Sequence, residues 1–557
     1  MVPSPGQDPP KPDQGAVRAD SRARRQVVIH PVLFALFPVF FLYAPNRAAF
    51  GFDITLEPAI LSVLAVLLVW LGLRAAMGDF KRGALVASLV WLLLFAFQSL
   101  RDSVTQLSSG TGLGQIGIAH QIILGSVAAA IAAFVVCFKL RGNVDQATYL
   151  FNVIGTILVC MSLIDITADR LFGPKSPRLV SGNAAGEAAI NLPVEAKDLP
   201  DIYYLVLDGY GRADQLRRLY GFDNAEFLRF LEQRGFYVAP RAVANYPQTL
   251  LSIASSLNFD YLHEILGASL TGVKDRRFVR GLLQENRAVR LLQNAGYDIT
   301  AIASPYYEAN VLEADTVVTD WRYPTVFEMA LLDMTPLPWV LSTFGGASPY
   351  ALHRSRILFS LAKLAEMPRH PGPKFVYCHI LYAHPPFVFD EDGTPITPDR
   401  PYTWLDGEDY FRQQASSYDE YIDGYRGQVR FLNRRLQETL TAIIANSEKP
   451  PIILVQGDHG SGARTNLNSL EKTDVEERYS ILSAFYLPAG GNADLYESMS
   501  PVNSFRIIFN RYLGASYPLL EDKLYYAPFE RPYDFTLVDS EAVAKNASQT
   551  DGHGTAP

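Results

Sequence analysis

Cysteine is nearly absent from this chain, with three residues in 557: Cys137 and Cys160 lie inside apolar runs and Cys378 in a strand-like stretch. Three such scattered thiols form no disulfide framework, so the globular part must be held by its own core, which about 340 residues can supply. Also missing is any stripe of Lys and Arg beside aromatic platforms. The 49 basic residues are dispersed among 57 acidic ones and the net charge is -8, which sets nucleic-acid binding aside. No small-residue cleavage site follows the first apolar run, so that run reads as an anchor and not as a removable signal peptide.

What the sequence has in abundance is apolar runs, at about 27–43, 58–76, 84–100, 116–138 and 147–166. Most reach the roughly 20 residues that a helix needs to cross a bilayer about 30 Å thick. Residues 1–26 are rich in Pro, Asp, Gln and Arg and read as a disordered cytoplasmic tail. Arg18, Arg22, Arg24 and Arg25 precede the first run, Arg74, Lys81 and Arg82 separate the second from the third, and Lys139 and Arg141 the fourth from the fifth; the alternate loops hold only Arg47 and Arg101. By the positive-inside rule the N-terminus is cytoplasmic and five crossings leave the remainder outside. The expectation is a membrane domain over 27–170, a linker over 171–200, an extracytoplasmic domain over 201–541 and a disordered tail over 542–557.

From Asp201 onward the pattern alternates. Strands are predicted at Ile202–Leu207, Tyr237–Val243, Asp298–Ala303, Phe375–Leu381, from Ile452 and at Ala484–Leu487. Helices are predicted at Ala225–Arg234, Thr249–Leu262, Val279–Ala295, His353–Glu366, Tyr418–Ala445 and Val502–Leu513. Such alternation predicts an α/β domain with a mainly parallel sheet covered by helices.

Candidate chemistry sits at strand ends, where open α/β sheets place their sites. The run Ile452–Val455 leads through Gly457 into Asp458 and His459, a carboxylate and an imidazole suited to a divalent cation. Ile202–Leu207 leads into Asp208-Gly-Tyr-Gly211. In Asn245-Tyr-Pro-Gln-Thr249 a threonine opens a helix, where the dipole and free N–H groups favour an alkoxide and an incoming phosphate or sulfate. A fourth stretch, Phe375–Phe387, ends in His384 before two prolines, whereas His379 lies within the strand and reads as a hydrogen-bonded core histidine. Singly, an Asx turn or a threonine N-cap explains each position as well. Together, a hydroxyl at a helix start, an early carboxylate and a late Asp-His pair are what metal-assisted displacement at phosphorus needs. Arg464 and Arg478 follow the pair and could meet an anionic group of donor or acceptor, although solvated surface is the commoner fate of such arginines.

The order and contexts of Asp208, Thr249, His384-Pro-Pro-Phe387 and Gly457-Asp-His-Gly460 resemble the sulfatase-like branch of the alkaline phosphatase superfamily, in particular membrane-anchored lipoteichoic acid synthases and phosphoethanolamine transferases. The resemblance implies one divalent metal ion, Mn or Zn, among Asp208, Thr249, Asp458 and His459. It makes Thr249 the nucleophile and sets His384 against the phosphoryl or leaving group. It implies a phospholipid donor of phosphoglycerol or phosphoethanolamine, an envelope glycan or glycolipid acceptor, and a place in the bacterial cytoplasmic membrane. The chain departs from those transferases in carrying Asp208 where glutamate is usual. It departs from true sulfatases in lacking a Cys/Ser-x-Pro-x-Arg motif and an early Asp-Asp pair, which disfavours sulfate esters. A phosphodiester or sulfate-ester hydrolase of the same fold, and a non-catalytic scaffold, are the alternative classes.

Overall fold

The computed structural model describes residues 27–47, 50–101, 125, 144–172, 195 and 198–539, apart from 268–269, 312, 321–323, 339, 341–347, 401 and 415. Four apolar helices precede the sheet domain: α1 (His30–Asn46), α2 (Leu56–Met77), α3 (Phe80–Phe95) and α4 (Val144–Phe172). They correspond to four of the five apolar runs; the run at 116–138 lies outside the described residues, as do the two tails and most of the linker. Among the described residues two stretches, Phe52–Met77 and Val144–Ala168, are long and apolar enough to cross a membrane by length and composition; α1 and α3, at 17 and 16 residues, are shorter. Asp79 starts α3 by accepting from the backbone N–H groups of Lys81 and Arg82, and Gly78, at φ 66°, turns the chain out of α2.

In the domain from residue 201 the described strands are β1 (Ile202–Leu207), β2 (Tyr237–Val238), β3 (Asp298–Ile302), β4 (Thr316–Val318), β5 (Lys374–Ile380), β6 (Ile452–Gly457), β7 (Ser483–Tyr486), β8 (Leu524–Tyr526) and β9 (Thr536–Val538). Seven form one sheet in the order β2-β7-β6-β1-β5-β3-β4, and β8 pairs with β9. The sheet is mixed: β6, β1, β5, β3 and β4 run parallel, while β7 is antiparallel to both its neighbours. Strand direction is not written in composition. The 25 residues between β6 and β7 hold only a 3-10 turn, Leu470–Lys472, and a five-residue helix, Val475–Tyr479, and return the chain antiparallel.

Every residue of β1, β5 and β6 is buried, which is why these strands read as unbroken apolar runs. Alternation divides β1 between two cores, Ile202, Tyr204 and Val206 on one face and Tyr203, Leu205 and Leu207 on the other. The first face is covered by α5 (Thr249–Asn258), α6 (Arg277–Gln284), α7 (Arg287–Asn294) and α9 (Pro501–Tyr512); the second by α8 (Tyr418–Asn446), which buries Tyr421, Tyr425, Val429, Leu432, Leu436 and Ile443 at helical spacing. The single helix expected over Val279–Ala295 is two, because the Asn286 side chain accepts from Val289 N at 2.8 Å and starts a new helix. The helix expected to reach Leu262 stops at Asn258, where Phe259 turns at φ 41°. The strand expected to reach Val243 ends at Val238, and Val243 keeps only an isolated bridge to Ser480.

Candidate active site

The sheet order brings the chemistry together. β1 lies between β6 and β5 with Leu207 level with Gly457 on one side and Ile380 on the other, so Asp208 and Asp458 leave adjacent strands at the same height. Gly209 N donates to Asp458 Oδ1 at 3.1 Å, tying the two turns to each other. The loop after Gly457 folds tightly: a Cβ at Gly460 would strike the Glu477 carbonyl, and one at Gly462 the Asp406 carboxylate. Glu477, fully buried, accepts from Ser461 Oγ at 2.9 Å, Ala463 N at 3.0 Å, Arg464 N at 2.9 Å and the Tyr220 hydroxyl at 2.8 Å, and so fixes that loop.

Thr249 occupies the first position of α5, and its Oγ1 is 3.2 Å from His459 Nε2. The same nitrogen lies 3.5 Å from Asp208 Oδ1 and 3.3 Å from Asp458 Oδ2. Neither carboxylate oxygen has a hydrogen-bond partner, although both are buried. His459 Nδ1 donates to the Gly460 carbonyl at 2.9 Å, which leaves Nε2 as the acceptor. Burial, and then the Arg478 guanidinium, lower the His459 pKa and keep the imidazole neutral. Burial alone would raise the Asp208 pKa, but the His384 imidazole and then the hydrogen bond from His379 hold its carboxyl well below the usual range. The four positions expected to surround a metal ion are thus brought together. Two carboxylates, an imidazole and a hydroxyl form a mixed O/N donor set that suits Zn or Mn, and the unpaired oxygens aimed at one point are what a cation would satisfy. His384, half-buried, lines the same cavity of about 470 Å³, its Nδ1 2.6 Å from the Pro385 carbonyl.

Three further groups belong to the site. His379, hydrogen-bonded as expected through Nδ1 to Ser304 Oγ at 2.8 Å, also presents Nε2 to Asp208 Oδ2 at 3.3 Å. Asp208, His379 and Asp458 form a buried group whose ligand atoms lie within 4.8 Å of one another. Two imidazoles therefore flank Asp208, one against each oxygen, and of the two only His459 also faces the threonine. Arg478 is a correction: it is 2% exposed, not solvated. It donates to Asp406 Oδ2 at 2.9 Å, to the Pro247 carbonyl at 2.8 Å and to His459 Nε2 at 3.1 Å. Asp406 had no signal in the sequence, since it lies in a Pro- and Tyr-rich loop without strand or motif. Arg464 is half-exposed, bonded to the Tyr418 hydroxyl at 3.1 Å.

Neither a protein-family model nor a curated protein sequence matches the chain. Among solved structures it is similar to proteins of the sulfatase-like alkaline phosphatase fold. The C-terminal periplasmic domain of EcEptC from Escherichia coli superposes at TM-score 0.40 with 13% identity, over 64% of this chain and 96% of that one. The integral membrane protein lipooligosaccharide phosphoethanolamine transferase A from Neisseria meningitidis does so at 0.38 and 11%, over 87% and 95%. Phosphonate monoester hydrolase of Agrobacterium radiobacter matches at 0.36 and 12%, over 59% and 80%. Likeness at this level carries no inference about activity.

Proposed function

We propose that this protein is a membrane-anchored, metal-dependent phosphotransferase that moves phosphoglycerol or phosphoethanolamine from a phospholipid to an envelope glycan or glycolipid through a phosphorylated Thr249. The observation that carries the reading is one constellation: a hydroxyl at a helix N-terminus 3.2 Å from a neutral imidazole nitrogen, with two unpaired carboxylate oxygens 3.3 and 3.5 Å from that nitrogen. A divalent cation, Mn or Zn, held by Asp208, Thr249, Asp458 and His459 would lower the hydroxyl's pKa and screen the charge of the phosphoryl group.

The chain's own groups account for the rest. The start of α5 turns its free N–H groups and positive dipole end toward the phosphoryl oxygens. Thr249 Oγ1 releases its proton to solvent and bonds to phosphorus as the bond from phosphorus to the diacylglycerol oxygen breaks; His384, which lines the cavity, gives that oxygen a proton and regains one from solvent. An acceptor hydroxyl then displaces the threonine oxygen, which recovers a proton from it. In the same proposal the N-terminus is cytoplasmic, five helices cross the bacterial inner membrane and the domain from residue 201 faces the periplasm. The distribution of Lys and Arg supports that topology, and it keeps Thr249 beside its lipid donor.

The test is the intact mass of the purified protein after incubation with manganese or zinc and a bacterial phospholipid extract, followed by peptide mapping. An adduct on Thr249 is expected, and its mass names the group. Lipid turnover with water as the sole acceptor would make the enzyme a hydrolase. Intact lipid and an unmodified Thr249 with both metals would overturn the reading.

A further inference from the structure

Arg276 stands immediately before α6, is 7% exposed, and lines the cavity that holds Thr249 and His459. Its donors are unevenly used. Nε donates to Glu308 Oε1 at 3.2 Å, and Nη1 donates to Gln248 Oε1 at 2.9 Å and to the Phe529 carbonyl at 3.3 Å. The Phe529 ring lies against the guanidinium at 4.4 Å. Nη2 has no hydrogen-bond partner among the described residues, although it is buried. A guanidinium carries two N–H groups on that nitrogen, and burying them without an acceptor is costly, more so for a charged group. Natural structures leave few such atoms open, and those at a cleft wall call for an acceptor.

The surroundings fix where that acceptor comes from. Gln248 is the residue that precedes the nucleophile, and its own Nε2 donates to the Ala527 carbonyl at 2.7 Å. The start of α5 is therefore clamped to Arg276 through one amide. Glu308 is oriented in turn by the Tyr306 hydroxyl at 2.8 Å. Arg276 is thus held from two sides in the cavity wall, and its second amino group is the arm that these contacts leave open. Of the two arginines in the cavity wall, Arg478 has all three nitrogens engaged, with Pro247, Asp406, Gly460 and His459. A planar fork with one open arm is the group that suits a phosphoryl oxygen.

We propose that Arg276 is a substrate-binding residue whose Nη2 donates to a non-bridging oxygen of the phosphoryl group as it is carried on Thr249. This rests on the phosphotransfer reading and adds to it the element that receives the anion. Glu308 offsets the guanidinium's charge, so the site accepts an oxyanion without depending on it for folding.

The experiment uses the full chain in lipid nanodiscs. Manganese is titrated first by calorimetry, then inorganic phosphate into the manganese-loaded protein, for the wild type, Arg276→Lys, Arg276→Gln and the neighbouring Arg277→Lys. Arg276→Lys keeps a cation for Glu308 but loses the fork. About a tenfold loss of phosphate affinity is expected for it and about a hundredfold for Arg276→Gln, with manganese affinity within twofold of wild type and Arg277→Lys unchanged. If Arg276→Gln strands Glu308 and unfolds, Arg276→Lys decides. Wild-type phosphate affinity in Arg276→Lys overturns the proposal and leaves Arg276 a structural clamp, with the phosphotransfer reading intact. Wild-type protein that takes manganese, binds no phosphate and forms no Thr249 adduct overturns both.

Discussion

The helical layer and the sheet domain are built inside out relative to each other. On α2 and α4 the apolar residues face outward: Leu61, Leu64, Leu68, Ile157, Met161 and Ile164 are exposed, Leu68 to 70%. The contacts inside that layer include a polar one, His30 Nδ1 to Ser88 Oγ at 2.7 Å. In the sheet domain the apolar residues are inside, and so is a dense set of charges, with Asp208, Arg276, Asp406, Asp458, Glu477 and Arg478 all buried. A water-soluble surface rarely shows contiguous apolar area of the first kind, which marks a membrane or a partner. A core rarely holds ions of the second kind unless each is paired or awaits a ligand. One region thus reveals its solvent by what it exposes, and the other its chemistry by what it buries.

The comparison breaks most sharply at Thr249. Thr249→Ala removes the proposed nucleophile and almost no packing, so transfer from a labelled phospholipid should fall about 10,000-fold or more while the melting temperature stays within a few degrees. Activity that survives would turn the buried polar set into structure alone. Arg478→Ala does the reverse. It leaves Asp406 charged and unpaired in the interior and should cost about 3–5 kcal/mol in chemical denaturation of the outer domain. A loss under 1 kcal/mol would mean that water reaches the pair and that the cluster is less dry than its burial indicates.

Leu68→Arg tests the other half. On a lipid-facing helix it should cost about 2.5–3.5 kcal/mol in a membrane-insertion assay and leave the outer domain's unfolding untouched. On a helix facing water it would cost nothing, and the outward apolar face would then need a protein partner.

How much of this was legible in the sequence depends on whether a local pattern or a neighbour sets the feature. β1, β5 and β6 were legible because burial on both faces leaves an unbroken apolar run. Asp208, Asp458 and His459 were legible because each follows such a run at a glycine. Thr249 and His384 were marked by the prolines beside them. The mixed sheet was not legible, since direction and order come from pairing: His379 meets Asp208 only because β5 lies next to β1, with Val206 level with His379. Arg276 precedes a helix, Asp406 lies in a loop and Arg478 in a five-residue helix, Val475–Tyr479, too short to show a period. Arg276 stands in Lys274-Asp275-Arg276-Arg277 and Arg478 follows Glu476-Glu477, so both read as ordinary charged surface, and only the fold buries them. The number of crossings stayed open because the run at 116–138 lies outside the described residues.

The smallest effect comes from the acid limb of stability, where Asp406 is the informative group. Burial would raise its pKa, but the His384 imidazole and the Arg478 guanidinium, with a hydrogen bond from the Tyr421 hydroxyl at 2.7 Å, hold it below the ordinary carboxylate value. On acidification the unfolded chain therefore takes up a proton at this position before the folded protein does. It binds more protons throughout the interval between the two pKa values, so stability rises with pH there. The contribution is fully present above the ordinary carboxylate pKa of about 4 and is lost as pH falls from there through the folded value. Denaturation between pH 3 and 6 should show this slope in the wild type, and Asp406→Asn should flatten it while lowering the plateau by the pairing lost to Arg478. An unchanged slope with a lowered plateau would assign the acid limb to Asp208 and its imidazoles instead. The pH dependence of folding would then belong to the proposed metal site and not to the ion pair beside it.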